Sequence, residues 1–169
     1  RMRLYFSGFS LKNEENLFDE YLEKSDFIVS GFSYGAIKAF EYVLNTDKRI
    51  DKLQLFSPAY FNDKDKKYKR MQMIYFKKNS GFYCNKFLRN CGFSNELSSK
   101  YFELGTNEEL YQLLNYKWDV IKLNILLNRN IKLEFYVGDK DRIINTQKAL
   151  EFFKQFGEVY YIKSKGHIL

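Results

Sequence analysis

This 169-residue chain holds one proline, one tryptophan, one histidine and two cysteines. With His167 as the lone imidazole, a multi-histidine metal site is excluded, and any imidazole chemistry must run through that residue. Cys84 and Cys91 stand in no metal-ligand spacing, and two cysteines make no disulfide scaffold, so a cytoplasmic setting is expected. The longest uncharged run, Phe27 to Ile37, is 11 residues. A membrane span needs about 20, so none is expected. No secretory signal is expected, since Arg1-Met2-Arg3 leads straight into a strand-like run, with Met2 expected as the natural start and Arg1 as an addition before it. No metal or cofactor is expected. What is abundant is apolar and ring-bearing: 45% hydrophobic residues, with 17 Phe and 14 Tyr. That is enough for one sizeable core, and the length suits one domain over residues 1–169.

Charge is concentrated. Between Asn62 and Cys91 stand nine basic residues (Lys64, Lys66, Lys67, Lys69, Arg70, Lys77, Lys78, Lys86, Arg89) against Asp63 and Asp65, so this segment carries the whole net +7. Such a patch points to an acidic partner, whether nucleic acid, anionic membrane or acidic protein. The bland reading is a compositional bias toward Lys in a chain also rich in Asn, Phe, Tyr and Ile. No RNA- or DNA-binding motif is present, and the aromatics follow core spacing instead of forming a stacking platform.

Along the chain, strand-like and helix-like patterns alternate. Leu4–Phe6, Asp26–Ser30, Leu53–Phe56, Ile131–Val137 and Val159–Ile162 read as strands. Leu17, Phe18, Tyr21 and Leu22 fall at helical spacing and predict a helix over about 13–24; further helices are expected over 34–44 and 145–156. The alternation implies an α/β fold with a mainly parallel sheet and right-handed crossovers. Residues 62–130 interrupt it as an all-helical insertion.

One motif carries chemistry. Gly31-Phe32-Ser33-Tyr34-Gly35 is a G-x-S-x-G between the second strand and the following helix. A strand entering a helix through a sharp turn presents the serine Oγ at the C-terminal sheet edge, and flanking glycines let neighbouring backbone pass. Asp139 and Asp141 follow the fourth strand, and His167 follows the fifth, so carboxylate and imidazole are expected at the same edge. The order Ser33, Asp, His167 is that of the α/β-hydrolase triad, with His167 as general base and the carboxylate as its orienter.

On these residues the chain resembles the α/β-hydrolase superfamily. Gly138-Asp139-Lys140-Asp141 is similar to the family's G-x-x-D, which implies Asp141 as the triad carboxylate and Asp139 as a turn residue. Ser7-Gly8-Phe9-Ser10 occupies the place of its His-Gly-x-Gly loop, with serine for both the histidine and the second glycine; the resemblance implies the backbone N–H groups of Phe9 and Tyr34 as oxyanion donors. Relative to the family, one strand and one helix between Gly8 and Ser33 are missing, as are the N-terminal strands, leaving a minimal sheet of five. Phe6–Phe9, Val29–Ser33, Gly35–Ala39, Leu55–Pro58, Lys69-Arg70 and Lys140–Ile143 further resemble the short pimeloyl-acyl-carrier-protein methyl ester esterases of biotin synthesis (BioV type). This implies hydrolysis of that methyl ester, with acyl carrier protein as partner. General carboxylesterases and acyl-carrier thioesterases share the same residues, and a non-enzymatic basic module is the reading from charge alone. In this fold the insertion is a lid. At 100° per residue, Lys66, Arg70 and Lys77 lie within about 40° of one another on its first helix, with Lys69 beside them, a stripe suited to an acidic carrier.

Overall fold

The computed structural model describes residues 4–169, so the expectations for Arg1 and Met2 lie outside it. Five parallel strands, β1 (Leu4–Phe6), β2 (Ile28–Phe32), β3 (Lys52–Phe56), β4 (Lys132–Gly138) and β5 (Glu158–Ile162), lie side by side in chain order. Helix α1 (Tyr34–Asn45) joins β2 to β3, and α7 (Thr146–Phe153) joins β4 to β5. Between β3 and β4 the insertion folds as α2 (Lys66–Lys78), α3 (Ser80–Cys91), α4 (Asn95–Tyr101), α5 (Asn107–Asn115) and α6 (Val120–Asn128). Side chains of Asp65, Asn79, Ser94, Thr106 and Asp119 cap the N-termini of these five helices in turn, which explains how so many short helices start between Lys66 and Asn128.

The strand registers put alternate side chains on two faces. Val29, Leu53, Leu55, Phe135 and Val137 face one side, where they meet Phe40 and Val43 of α1, Leu123 and Leu126 of α6, and Phe153 of α7. On the other side Phe32, Phe56 and Tyr136 meet Phe18, Leu22 and the far end of α3. Ring contacts make much of this core: Phe18 stacks on Phe56 with centroids 4.8 Å apart, and Phe135 on Phe153 at 4.5 Å.

Two expectations need correction. The helix over 13–24 is instead a single 3-10 turn, Glu15–Phe18, followed by turns. Phe18 and Leu22 are buried and Leu17 and Tyr21 half-buried, as their spacing demands, but Gln54 supplies the backbone partners: its Oε1 accepts the Glu23 N–H at 3.0 Å and its Nε2 donates to the Tyr21 carbonyl at 3.0 Å. The second correction concerns handedness. This first connection covers the Gln54 face, whereas α1, α6 and α7 cover the opposite one. Between strands adjacent in both chain and sheet, the face covered sets the hand. The β1–β2 crossover therefore has the opposite hand to the three that follow. The usual preference arises from a twisted strand feeding a helix, and no full helix is present here to enforce it.

Candidate active site

Everything that could react converges at the C-terminal ends of the strands. Ser33 leaves β2 with φ 57° and ψ −114°, a strained conformation for a residue with a side chain. The turn is held from both sides: the Ser33 N–H donates to the Phe56 carbonyl at 2.9 Å, and the Ser33 carbonyl accepts from Ala36 and Ala59 at 3.0 and 3.2 Å. Its flanking glycines are needed for close approach. A Cβ on Gly31 would lie 2.2 Å from the Gly35 oxygen, and one on Gly35 would lie 2.0 Å from the Phe6 oxygen. Since backbone cannot yield as a flexible side chain does, Gly35→Ala is expected to destabilise by more than the ~1–3 kcal/mol of ordinary overpacking. A urea midpoint within error of wild type would refute this close approach.

The structure brings Ser33, His167 and Asp141 together. His167 Nε2 lies 2.7 Å from Ser33 Oγ, and Nδ1 lies 2.5 Å from Asp141 Oδ2. The other oxygen of Asp141 accepts N–H groups of Ile143 and Ile144 at 2.7 and 3.2 Å, which fixes the carboxylate's rotation. Asp139 points elsewhere: its Oδ1 accepts the Ser164 N–H at 2.7 Å and closes the turn after β5. That turn delivers His167, whose carbonyl accepts the Ser57 hydroxyl, while Phe32 packs on the imidazole with centroids 5.2 Å apart. Ser57 escaped the sequence reading. The only signal was its place just after β3, beside the lone proline. Such a hydrogen-bonded line lets an imidazole take the serine proton while the carboxylate holds its tautomer.

The loop carrying Phe9 and the turn carrying Tyr34 leave the same end of the sheet. Phe6 pairs with Gly31 in the β1–β2 register, and Phe9 and Tyr34 each come three residues later. Among the described residues, neither backbone N–H has a hydrogen-bond acceptor. Ser33 and His167 are sealed, at 1% and 0% exposure. Over this edge, Phe76 of α2 and Phe87 of α3 rest on the ring of Phe9, with centroids 6.4 and 5.4 Å away. A cavity of about 540 Å³ opens beside them, walled by Phe61, Tyr75, Phe82, Phe87 and Ile143 among others, with Lys78, Lys86 and Arg142 its cations and no carboxylate in its lining.

Lys66, Arg70 and Lys77 are exposed and Lys69 half-buried. On α2 the cavity takes Tyr68, Gln72 and Tyr75, which lie roughly half a turn around the helix from the stripe. The cationic stripe therefore faces away from the cavity, flanked by Met73, which packs on the core. No group of three or more histidine, cysteine or acidic side chains converges as a metal site among the described residues, and no helix there is long and apolar enough to cross a membrane.

Sheet, strand-end serine and helical insertion define an α/β-hydrolase fold. Solved structures agree: an esterase from Exiguobacterium antarcticum superposes with TM-score 0.62 at 18% identity, over 83% of this chain and 59% of its own. BioG from Haemophilus influenzae gives 0.60 at 15% identity, over 98% and 88%. An E-2-(acetamidomethylene)succinate hydrolase gives 0.61 at 8%, over 98% and 84%. At these identities the likeness is one of fold, and the chain spans less than two thirds of the Exiguobacterium enzyme. No protein-family model and no curated protein sequence matches the chain.

Proposed function

We propose that this chain is a serine carboxylesterase, and that its substrate is the methyl ester of a pimeloyl group on acyl carrier protein. The observation that carries the esterase reading is the continuous line Asp141–His167–Ser33 beside two backbone N–H groups free to receive an oxyanion. Ser33 Oγ attacks the ester carbonyl as its proton passes to His167 Nε2. The oxyanion forms against the Phe9 and Tyr34 amides, and Asp141 stabilises the imidazolium. Collapse expels methanol, which takes the proton from His167. Water then repeats the sequence and releases the carboxylate.

The sealed serine makes residues 62–130 the lid of this reading. Its later half is fastened to the body: Tyr34 donates to Gln112, Tyr116 to Glu41, and Trp118 Nε1 to the Ala59 carbonyl. The far end of α3 is buried against the sheet and its Cys91 carbonyl accepts the Ile168 N–H, whereas α2 and the nearer part of α3 meet the Phe9 loop through ring contacts, so that part lifts. The cavity that α2 and α3 form with Phe61, Leu114 and Ile143 accommodates the acyl chain. An acidic carrier is steered first by Lys66, Lys69, Arg70 and Lys77 and then held near Lys78, Lys86 and Arg142.

Incubation with methyl-pimeloyl carrier tests the reading, with carrier mobility followed on a native gel and methanol assayed. Pimeloyl-carrier plus methanol is expected, and neither with Ser33→Ala. Release of free carrier would make the protein a thioesterase; turnover of small esters alone would make it a general carboxylesterase. Charge gives a second arm. Lys78→Glu with Lys86→Glu is expected to lower kcat/KM for the carrier substrate about tenfold or more, while a p-nitrophenyl ester stays near wild type. Lys66, Arg70 and Lys77 changed together to Glu are expected to act in the same direction but less, and salt to mimic both. Equal loss on the two substrates would sink the carrier dock.

A further inference from the structure

A carboxyl group lies at the base of the oxyanion loop and takes no part in the chemistry just described. Glu14 is 0% exposed. Its Oε2 accepts the Gly8 N–H at 3.0 Å and the Tyr5 hydroxyl at 2.6 Å, and its Oε1 has no hydrogen-bond partner among the described residues. Tyr5 remains a donor, since burial and then the neighbouring Glu14 charge push its pKa well above the ordinary tyrosine value. A buried carboxyl group with a bare oxygen is a costly way to support a strand, because an apolar side chain could fill the same space. What it contacts gives the reason. Gly8 immediately precedes the proposed donor, Phe9.

Other bonds hold this loop from its far end. The Gly8 carbonyl accepts the Leu11 N–H at 3.2 Å, and across a trans peptide this turns the Phe9 N–H the opposite way. The Ser10 carbonyl accepts from Glu103 at 3.0 Å, and Lys12 donates to the Tyr101 carbonyl at 2.8 Å. The Ser10 hydroxyl, on a residue with φ 62°, accepts from Gly105 at 3.2 Å. All of these act at or beyond the Gly8–Phe9 peptide. Among the described residues, Glu14 is what holds the N–H of the preceding one.

We propose that Glu14 is a positioning residue: by clamping the Gly8 N–H it fixes the direction of the Phe9 amide that receives the oxyanion. This rests on the esterase reading above. Glu14 touches no substrate, so its effect must be felt in the transition state and leave the ground state alone. Glu14→Ala is expected to lower kcat about 10- to 100-fold with KM within about twofold, since a donor displaced by an ångström loses much of its worth. Affinity for a trifluoromethyl ketone, which adds to Ser33 as a tetrahedral oxyanion, should fall by the same factor. Glu14→Gln should recover activity to within about fivefold, because its amide oxygen accepts the same two bonds. Tyr5→Phe, which keeps the Gly8 bond, should stay near wild type. Hydrogen exchange at the Gly8 amide supplies a readout independent of turnover: protected in wild type and in Glu14→Gln, unprotected in Glu14→Ala. Unchanged kcat in Glu14→Ala, a rise in KM alone, or equal losses in Tyr5→Phe would overturn the proposal. If Glu14→Ala does not fold, failure of Glu14→Gln to hold both kcat and Gly8 protection overturns it instead. A wild-type protein inert to every ester would overturn the esterase reading and the catalytic role together, while Gly8 exchange would still show whether Glu14 clamps the loop.

Discussion

Ser33→Ala is expected to lower ester hydrolysis by about 10⁴-fold or more and to abolish labelling by a fluorophosphonate probe. The effect is large because, among the described residues, Ser33 is the one hydroxyl bonded to the imidazole ring: His167 Nε2 is engaged with Ser33 Oγ, while Ser57 spends its hydroxyl on the His167 carbonyl. Folding should be little affected. Ser33 is held by its backbone, and its Oγ bonds only to His167 among the described residues. Mass spectrometry placing the label on another serine, or residual turnover above a few per cent, would remove Ser33 from the role of nucleophile.

The second large effect separates two carboxylates that are two residues apart. Asp141→Asn is expected to cost about 10⁴-fold in kcat, because an amide that presents its NH₂ toward Nδ1 favours the wrong imidazole tautomer. Asp139→Asn is expected to remain within a few-fold of wild type, since an amide oxygen still accepts the Ser164 N–H. Comparable losses in both would mean that Asp139 matters to catalysis through the turn that carries His167. The reverse order would reassign the orienting carboxylate.

Much of the site was readable because its chemistry is local in sequence. A serine between two glycines, an apolar strand-like run before it and a helical run after it specify a turn with little help from the rest of the chain. The aspartates and the lone histidine each follow a strand-like run, and a parallel sheet brings the ends of such runs to one edge. The missing parts depend on contacts distant in sequence. Leu17, Phe18, Tyr21 and Leu22 have the spacing of a helix, but the bonds from Gln54, more than 30 residues away, favour turns. No periodicity reveals which face a connection covers, so the unusual hand of the β1–β2 crossover was hidden. Glu14 stands beside Glu15 in a run that reads as solvated, and only the fold shows that one of the two is buried. Helical geometry groups the cations of α2 into a stripe, yet which way the helix is rolled depends on contacts made by its other faces, Phe76 on the core and Tyr68, Gln72 and Tyr75 along the cavity.

The solitary imidazole has a practical consequence. In most proteins the ring-proton resonances of a functional histidine must be picked out from several and assigned by mutation. In this chain every such signal comes from His167, lodged between Ser33 and Asp141. Acylation of the serine, movement of the covering helices and a change in proton position would each register in one NMR probe that needs no label and no substitution. The chain thus carries a built-in spectroscopic reporter at the point where its chemistry is expected to occur.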